Sequence, residues 1–340
     1  MTYLKKLIDN HIYIQEKSST SLLFIAVLVL FSIQSCTQNA FEKKKIVYVN
    51  SYHRGHPSSD EIMDGIIDSF PADSFELQSY IMDTKRNPSQ ESIENIAAKL
   101  FDSILFINPD ILIVSDDNAV KYLVEPYFQE SNIPIVFCGI NWSAQEYNLP
   151  ENKITGMLEI LPLADLLLSM RSYYPSMENL LVLNENTTTS RKEKLLLDTL
   201  FYNAGVKASY ELVNNFEQWK LIFKDGNQLY DIIYISTNGA IKGWNQDEAV
   251  DFVCKNIKVP VVTCEDFMMP YAVFGLTKVA REQGIWAAGI AKEILQGGSP
   301  ADFPLTRNIL SAAWLNTSLS EKIGFKPDSI LLNNSRIVKN

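Results

Sequence analysis

The sequence predicts an α/β fold in two similar halves, each a parallel sheet covered by helices on both faces. Two observations carry this. Over residues 45–142, short apolar runs rich in Ile, Val, Tyr and Phe alternate with stretches of helical periodicity. After about residue 155 the same alternation restarts and runs to the C-terminus. The total of 340 residues is also more than one small domain normally uses.

In the first half, KIVYVNSY (45–52) reads as a strand, followed by a helix carrying Ile62, Met63, Ile66 and Ile67. FELQSYIM (75–82) is the second strand. Pro88 opens a helix whose Ile93, Ile96, Ala97, Leu100 and Phe101 fall at i, i+3, i+4, i+7 and i+8. PDILIVSDD (109–117) is an apolar run closed by carboxylates, and after a short helix IPIVFCGINW (133–142) is the fourth strand. In the second half, a helix spans 163–174 between Pro162 and Pro175. Strands follow at 179–184, 206–213, 231–237 and 259–266. Helices are expected at 190–203, where Gly205 stops the chain, and at 216–223, 246–256 and 284–296.

The N-terminus reads as an export address. Leu22–Phe31 is ten residues without a polar side chain, too short for a bilayer span of roughly 20 residues but suited to a signal core. Lys5, Lys6 and Lys17 precede it, and Ser32-Ile33-Gln34-Ser35-Cys36 follows, a small residue before a cysteine as in a bacterial lipobox. The expectation is a signal peptide over 1–35, lipidation of Cys36 and a tether over 36–44. Without 1–35 the chain keeps 27 basic and 38 acidic residues, a charge of −11. That balance argues against a nucleic-acid partner, which wants a basic face. Cys138 sits in a strand-like run and reads as a small buried hydrophobe. Cys254 and Cys264 are compatible with a pair or with two thiols.

Open parallel sheets bind ligands beyond the carboxyl ends of their strands. Here those ends are Asn50-Ser51-Tyr52-His53, Ser115-Asp116-Asp117-Asn118 and Gly139-Ile140-Asn141-Trp142 in one half. In the other they are Asn184-Glu185-Asn186-Thr187, Ser236-Thr237-Asn238-Gly239 and Cys264-Glu265-Asp266. Each such residue alone is an ordinary loop or helix cap. Together, on two sheets able to face each other, they describe a polar cleft. No Gly-x-Ser-x-Gly elbow, Gly-x-Gly-x-x-Gly turn or phosphate loop is present, so neither a nucleophile nor a cofactor is expected. His53 and His56 form a His-x-x-His without adjacent further ligands, so no metal is expected either. Asp116-Asp117 and Glu265-Asp266 suit acid–base work, helix capping, or binding of a ligand ammonium or hydroxyl. Tyr52 and Trp142 suit an apolar or planar ligand.

Several segments carry a resemblance. NSYHRGHP with SSDEIMDGI resembles the opening of the ABC-type solute-binding proteins whose members include tryptophan- and tyrosine-binding lipoproteins, and especially the branch found as extracellular sensor domains. PDILIVSDDNAVKYL, IPIVFCGIN, ISTNGAI and VPVVTCEDFMMPYAVFGL are similar to later strands of that family, and ILQGGSPADFPL with AAWLNTSLSEKIGFKPDSIL to its closing stretch. The resemblance covers 45–332 and implies a type I periplasmic-binding-protein fold, two Rossmann-like lobes joined by a three-stranded hinge. It implies an N-terminal lobe of 45–141 with 297–332 and a C-terminal lobe of 142–296. Ligand contacts then fall on Ser51, Tyr52, Asp116, Asn118, Asn141, Asn184, Thr237, Asn238 and Asp266. The implied role is non-catalytic capture of a small, amino-acid-like molecule in the bacterial cell envelope. The implied partner is an ABC permease, or alternatively a membrane sensor. An α/β hydrolase or isomerase working through cleft carboxylates is the competing reading from a different class.

Overall fold

The computed structural model describes residues 43–149 and 152–340. The expected signal segment and the lipidation site Cys36 lie outside them. Among the described residues no helix is long and apolar enough to cross a membrane.

The body from Lys45 onward holds two sheets. The first contains β1 (Lys44–Asn50), β2 (Phe75–Ile81), β3 (Ile111–Ser115), β4 (Ile135–Asn141), β5 (Ile154–Glu159) and the short β11 (Thr306–Arg307), in the order β11-β5-β4-β3-β1-β2. The second contains β6 (Asn179–Glu185), β7 (Lys207–Val213), β8 (Ile232–Ile235), β9 (Val261–Thr263), β10 (Phe274–Lys278), β12 (Ser311–Asn316) and β13 (Ser335–Val338), in the order β13-β12-β10-β9-β8-β6-β7. β10 and β12 pair antiparallel. The ladders β1–β3, β3–β4, β4–β5, β5–β11, β6–β7, β6–β8, β8–β9, β9–β10 and β12–β13 are parallel, which is the α/β architecture expected.

Each sheet is buried on both faces, which explains why its central strands read as continuous apolar runs. In the first sheet, Ile46, Tyr48, Ile111, Ile113 and Val136 face α1 (Pro57–Ser69) and α8 (Ala280–Leu295). The alternate residues Val47, Val49, Leu112, Val114 and Phe137 face α2 (Gln90–Ile107) and α3 (116–127), whose middle turn, Val120–Val124, is π-helical. In the second sheet, Leu180, Val182, Ile232 and Val262 face α4 (Leu163–Tyr173) and α5 (Thr188–Asn203). Leu181, Leu183, Ile233 and Val261 face α6 (Phe216–Leu229), α7 (Gln246–Asn256) and α9 (Thr317–Ile323). On that side Trp219 stacks on Phe223 at 4.9 Å between ring centres. A last short helix, α10 (Ser329–Asn334), leads into β13. Cys138, Cys254 and Cys264 are free thiols.

The division of the chain between the sheets differs from the one expected. Residues 154–159 form an unforeseen strand of the first sheet, in register with β4 from Ile135↔Ile154 onward. Helix α8 covers the first sheet, although it follows β10 of the second directly in sequence. Residues 311–338 return to the second sheet, where β12 pairs with β10 from Phe274↔Leu315. The reason is that the chain crosses between sheets three times, at 160–162, at 279 and at 308–310. Alternation of strand and helix continues unbroken through each crossing, so periodicity cannot register it.

The crossing segments are tied to one another. Asn308 accepts from the Ile160 amide (2.7 Å) and donates to the Ile160 carbonyl (3.1 Å). The Glu282 carboxylate accepts from the Ile309 and Leu310 amides, the latter at 2.8 Å.

Candidate functional site

The carboxyl ends of β1 and β3 are stitched together from below. Tyr48 and Ser115 share a hydroxyl hydrogen bond (2.9 Å). Ser51 donates to the Ser115 carbonyl (2.6 Å) and accepts from the Ala119 amide (2.8 Å). Thr84 donates to the Ser51 carbonyl (2.9 Å), and Asn118 donates to Thr84 (2.8 Å). This lattice holds the turn after β3, where Asp116 enters α3 in the left-handed region at φ 68°. Gly139 faces it at φ 79°. A Cβ there would stand 3.1 Å from Asp116 Oδ1 and 3.2 Å from its amide, a tight fit in a backbone conformation that already favours glycine.

Above these strand ends lies a cavity of about 610 Å³. The first sheet contributes Tyr52, Asp116, Asn118 and Asn141 to it, the second contributes Thr237, and all five were expected contacts. Asn141 donates to Asp117 (2.5 Å), which also accepts from Tyr147 (2.6 Å), so these two wall groups are already satisfied. The remaining four expected residues are placed elsewhere. Ser51 is fully buried in the lattice just described. Asn184 is buried at the end of β6, where its side chain accepts from the Glu185 amide (2.8 Å). Asn238 does not line the cavity. Asp266 is exposed, accepts from the Phe267 amide (2.7 Å) and borders a smaller hollow of about 90 Å³. Trp142 (φ 63°) reaches from the end of β4 to the second half, packing on its core and hydrogen-bonding Glu193 of α5.

Residues not foreseen as contacts complete the wall: Lys85, Glu159, Glu193 and Lys278, together with His56. Lys278 ends β10 and Glu159 ends β5, so their contact bridges the two sheets at the crossing region. Lys278 is 14% and Glu159 8% exposed, and Gln283 donates to the second Glu159 oxygen (2.8 Å). Burial works against the Lys278 ammonium, but Glu159 and Glu265 outweigh it and its pKa is raised. Lys85 stands 4.3 Å above the Tyr52 ring and 2.6 Å from His56 Nε2, and burial first of all lowers its pKa. Glu159 and Lys278 end their strands as single charges behind apolar runs (ITGMLE and FGLTK), a signal available in the sequence, whereas Lys85 in MDTKR stands among other charges and carries no such signal. His53 faces Asp83 at 3.5 Å, and among the described residues no cluster of three His, Cys, Asp or Glu is placed to hold a metal.

Three further groups have pKa values displaced to between about 4 and 8. Burial, reinforced by Glu159 and partly opposed by Lys278, pushes Asp116 up to about 8. Burial likewise pushes Glu265 up to about 7, with Lys278 opposing. Burial, then Lys85 and His53, lowers His56 to about 4. The two carboxyls bind their protons more tightly folded than unfolded, so their contribution to stability is lost as pH rises through 7 and 8. His56 acts with the opposite sign: the unfolded chain protonates below about 6.5 and the folded one does not, so stability is lost as pH falls from there toward 4. The contributions oppose each other below pH 6.5, and above it only the carboxyls act. The unliganded protein is therefore expected to lose stability between pH 6.5 and 8, by at most about 1.4 kcal/mol per unit and group. Urea midpoints at the two pH values check this, and a midpoint that holds or rises contradicts it.

The body thus combines two mostly parallel sheets, three crossings between them and a polar cavity beyond the strand ends. The family model for ABC transporter substrate-binding proteins matches residues 46–338, and the chain belongs to that family. No curated protein matches the sequence. Among solved structures, the chain is similar to an ABC domain from Streptococcus pneumoniae in complex with L-Trp, at 15% identity and TM-score 0.63, covering 87% of this chain and 100% of that one. It is also similar to the ligand-free, open structure of a substrate-binding protein with adhesive properties from Clostridium difficile (15%, TM-score 0.67, 87% and 99% covered). A conserved domain protein from Vibrio cholerae is a third (16%, TM-score 0.61, 88% and 100% covered). At these identities the similarity shows the fold, a periplasmic-binding-protein architecture.

Proposed function

We propose that the chain captures a small molecule in the cavity between its two lobes and delivers it to an ABC permease, anchored on the extracytoplasmic side of a bacterial membrane by a lipid on Cys36. The observation that carries this reading is the cavity itself: five residues from strand ends of both sheets converge on it within a chain of the substrate-binding family. The L-Trp complex of the Streptococcus protein supports a ligand of amino-acid size. The lipobox-like Ser35-Cys36 behind an apolar run supports the anchor. The protein binds without turnover, since no nucleophile or cofactor motif accompanies the cleft carboxylates. Ser51 and Asn184 act as supports beneath the site, while Tyr52, Asp116, Asn118, Asn141 and Thr237 meet the ligand.

The test is a thermal-shift screen of the purified chain against amino acids, amines, nucleosides, sugars and organic acids. A ligand at 1,000 times its dissociation constant stabilises by about 4 kcal/mol, which is several degrees at this size. A compound class that raises the midpoint and is recovered chemically unchanged is the expected result. Turnover of the bound compound, or no shift from any class, defeats the reading. Incorporation of labelled palmitate, absent when Cys36 is changed, tests the anchor.

A further inference from the structure

Asp116 lines the cleft with a side chain that is almost wholly enclosed and lacks a partner at one oxygen. The residue is 7% exposed, its Oδ2 makes no hydrogen bond, and it lines the cavity. A buried carboxylate without a counter-charge is costly, and this one also holds its backbone at φ 68°. Neighbouring side chains are committed elsewhere, Asn118 to Thr84, Asn141 to Asp117 and Lys278 to Glu159, and the charges of Lys278 and Lys85 offset its burial only in part. The wall is also unbalanced. Six carboxyl groups (Asp116, Asp117, Glu125, Glu146, Glu159, Glu193) outnumber Lys85, Lys121 and Lys278. A ligand bearing a carboxylate deepens that excess, and a cation reduces it.

We propose that the cleft takes a small organic cation, an amine or guanidine of net positive charge, whose charged nitrogen seats on the Asp116 carboxyl group. This rests on the reading of the cleft as a ligand site. The bound nitrogen donates to the carboxylate, and the carboxyl proton leaves to solvent. Burial sets Asp116 at about 8, so at neutral pH the empty site holds that proton.

The groups facing Asp116 are Tyr48 of β1, Tyr52 beyond it, Lys85 after β2, Asp117 of α3, Cys138 of β4, Glu159 of β5 and Lys278 of β10. Burial raises Tyr48, Tyr52 and Cys138 and keeps them neutral, and His56 at about 4 stays neutral across pH 6–8. Glu265 titrates in the same range, near 7, so a variant at Asp116 is needed to separate the two. Affinity for a cation then rises by about tenfold per pH unit up to pH 8 and levels above it.

The experiment titrates the purified full chain with phenethylamine, agmatine and spermidine as cations, phenylalanine as a zwitterion, 3-phenylpropionate as an anion and glucose as a neutral compound. At least one cation is expected to bind tightest of the set. Its affinity is expected to rise with pH from 6 to 8. Calorimetry in two buffers of different ionisation enthalpy is expected to read release of about one proton at pH 7. Asp116→Asn, which tolerates the left-handed backbone, is expected to keep the fold and weaken that binding by at least about tenfold. The buffer comparison on the unmodified chain needs no variant and stands if Asp116→Asn does not fold. Cation binding without proton release, or undiminished in Asp116→Asn, overturns the proposal. A cleft that takes phenylalanine, 3-phenylpropionate or glucose in preference to every cation overturns the charge class and leaves the binding role standing. A cleft that takes nothing, here or in the wider screen, overturns both.

Discussion

Lys278→Met is expected to destabilise the protein by about 3–5 kcal/mol, and adding Glu159→Gln to it is expected to restore most of that loss. Lys278 and Glu159 are 14% and 8% exposed and come from different sheets. Two opposite charges taken from water roughly break even, because their attraction in a poorly screened interior offsets the desolvation of each. Removing one partner leaves the other buried and uncompensated, and the full desolvation cost appears. Met keeps the length and the apolar stem of Lys, so the loss reads charge and not volume. In the double variant the amide oxygen that replaces the Glu159 carboxylate still accepts from Gln283, which holds the second oxygen at 2.8 Å. Because Lys278 also opposes the raised pKa values of Asp116 and Glu265, the single variant leaves three carboxyl groups with Lys85 as their remaining nearby cation. A double-mutant cycle by urea denaturation measures the coupling. A single variant no less stable than the double one contradicts the argument.

That pair also shows how far the sequence could be read. The polar strand ends were legible because a parallel sheet forces its loops there, and Tyr52, Asp116, Asn118, Asn141 and Thr237 do converge on the cavity. The same reasoning cannot separate a residue that faces the cavity from one that ties the strands beneath it. Ser51 and Asn184 also sit at strand ends, yet Ser51 bonds the Ser115 carbonyl at the end of β3 and Asn184 accepts from the Glu185 amide of its own strand and, at 3.4 Å, from the Thr237 amide beyond β8. Lys278 and Glu159 were missed for a different reason. They sit on the two strands flanking crossings between sheets, and crossings are long-range events invisible to local periodicity. β5 (ITGMLE) shows no alternation because both of its faces are buried, so it passed for part of a linker. Helix α8 was recognised as a helix but assigned to the wrong sheet, since its partner, α1, lies over 200 residues earlier in the chain.

The α1–α8 contact gives the other large expected effect. Gly284 lies where α8 crosses α1, and a Cβ built on it would stand 2.0 Å from the Ile62 carbonyl oxygen and 2.9 Å from its carbon. Gly65 answers from α1, its Cβ position 2.8 Å from the Arg281 carbonyl oxygen. The obstructing atoms are helix backbone, which cannot swing aside as a side chain can. Gly284→Ala must therefore push the helices apart and unseat Ala287, Ala288 and Ala291 from the first sheet. The intrinsic gain of about 1 kcal/mol for Ala over Gly in a helix is too small to offset overpacking, and a net loss of about 2 kcal/mol or more is expected. Gly289 supplies the control on the same helix: it is exposed, with no atom within 4 Å of its Cβ position. There the propensity term acts alone, so Gly289→Ala is expected to be neutral or to stabilise by up to about 1 kcal/mol. The loss at 284 reaches the cleft as well, because α1 begins at Pro57, directly after His56 in the cavity wall. Thermal melts of the two variants side by side decide it: opposite signs are expected, and equal shifts would mean that close backbone approach does not hold these helices together.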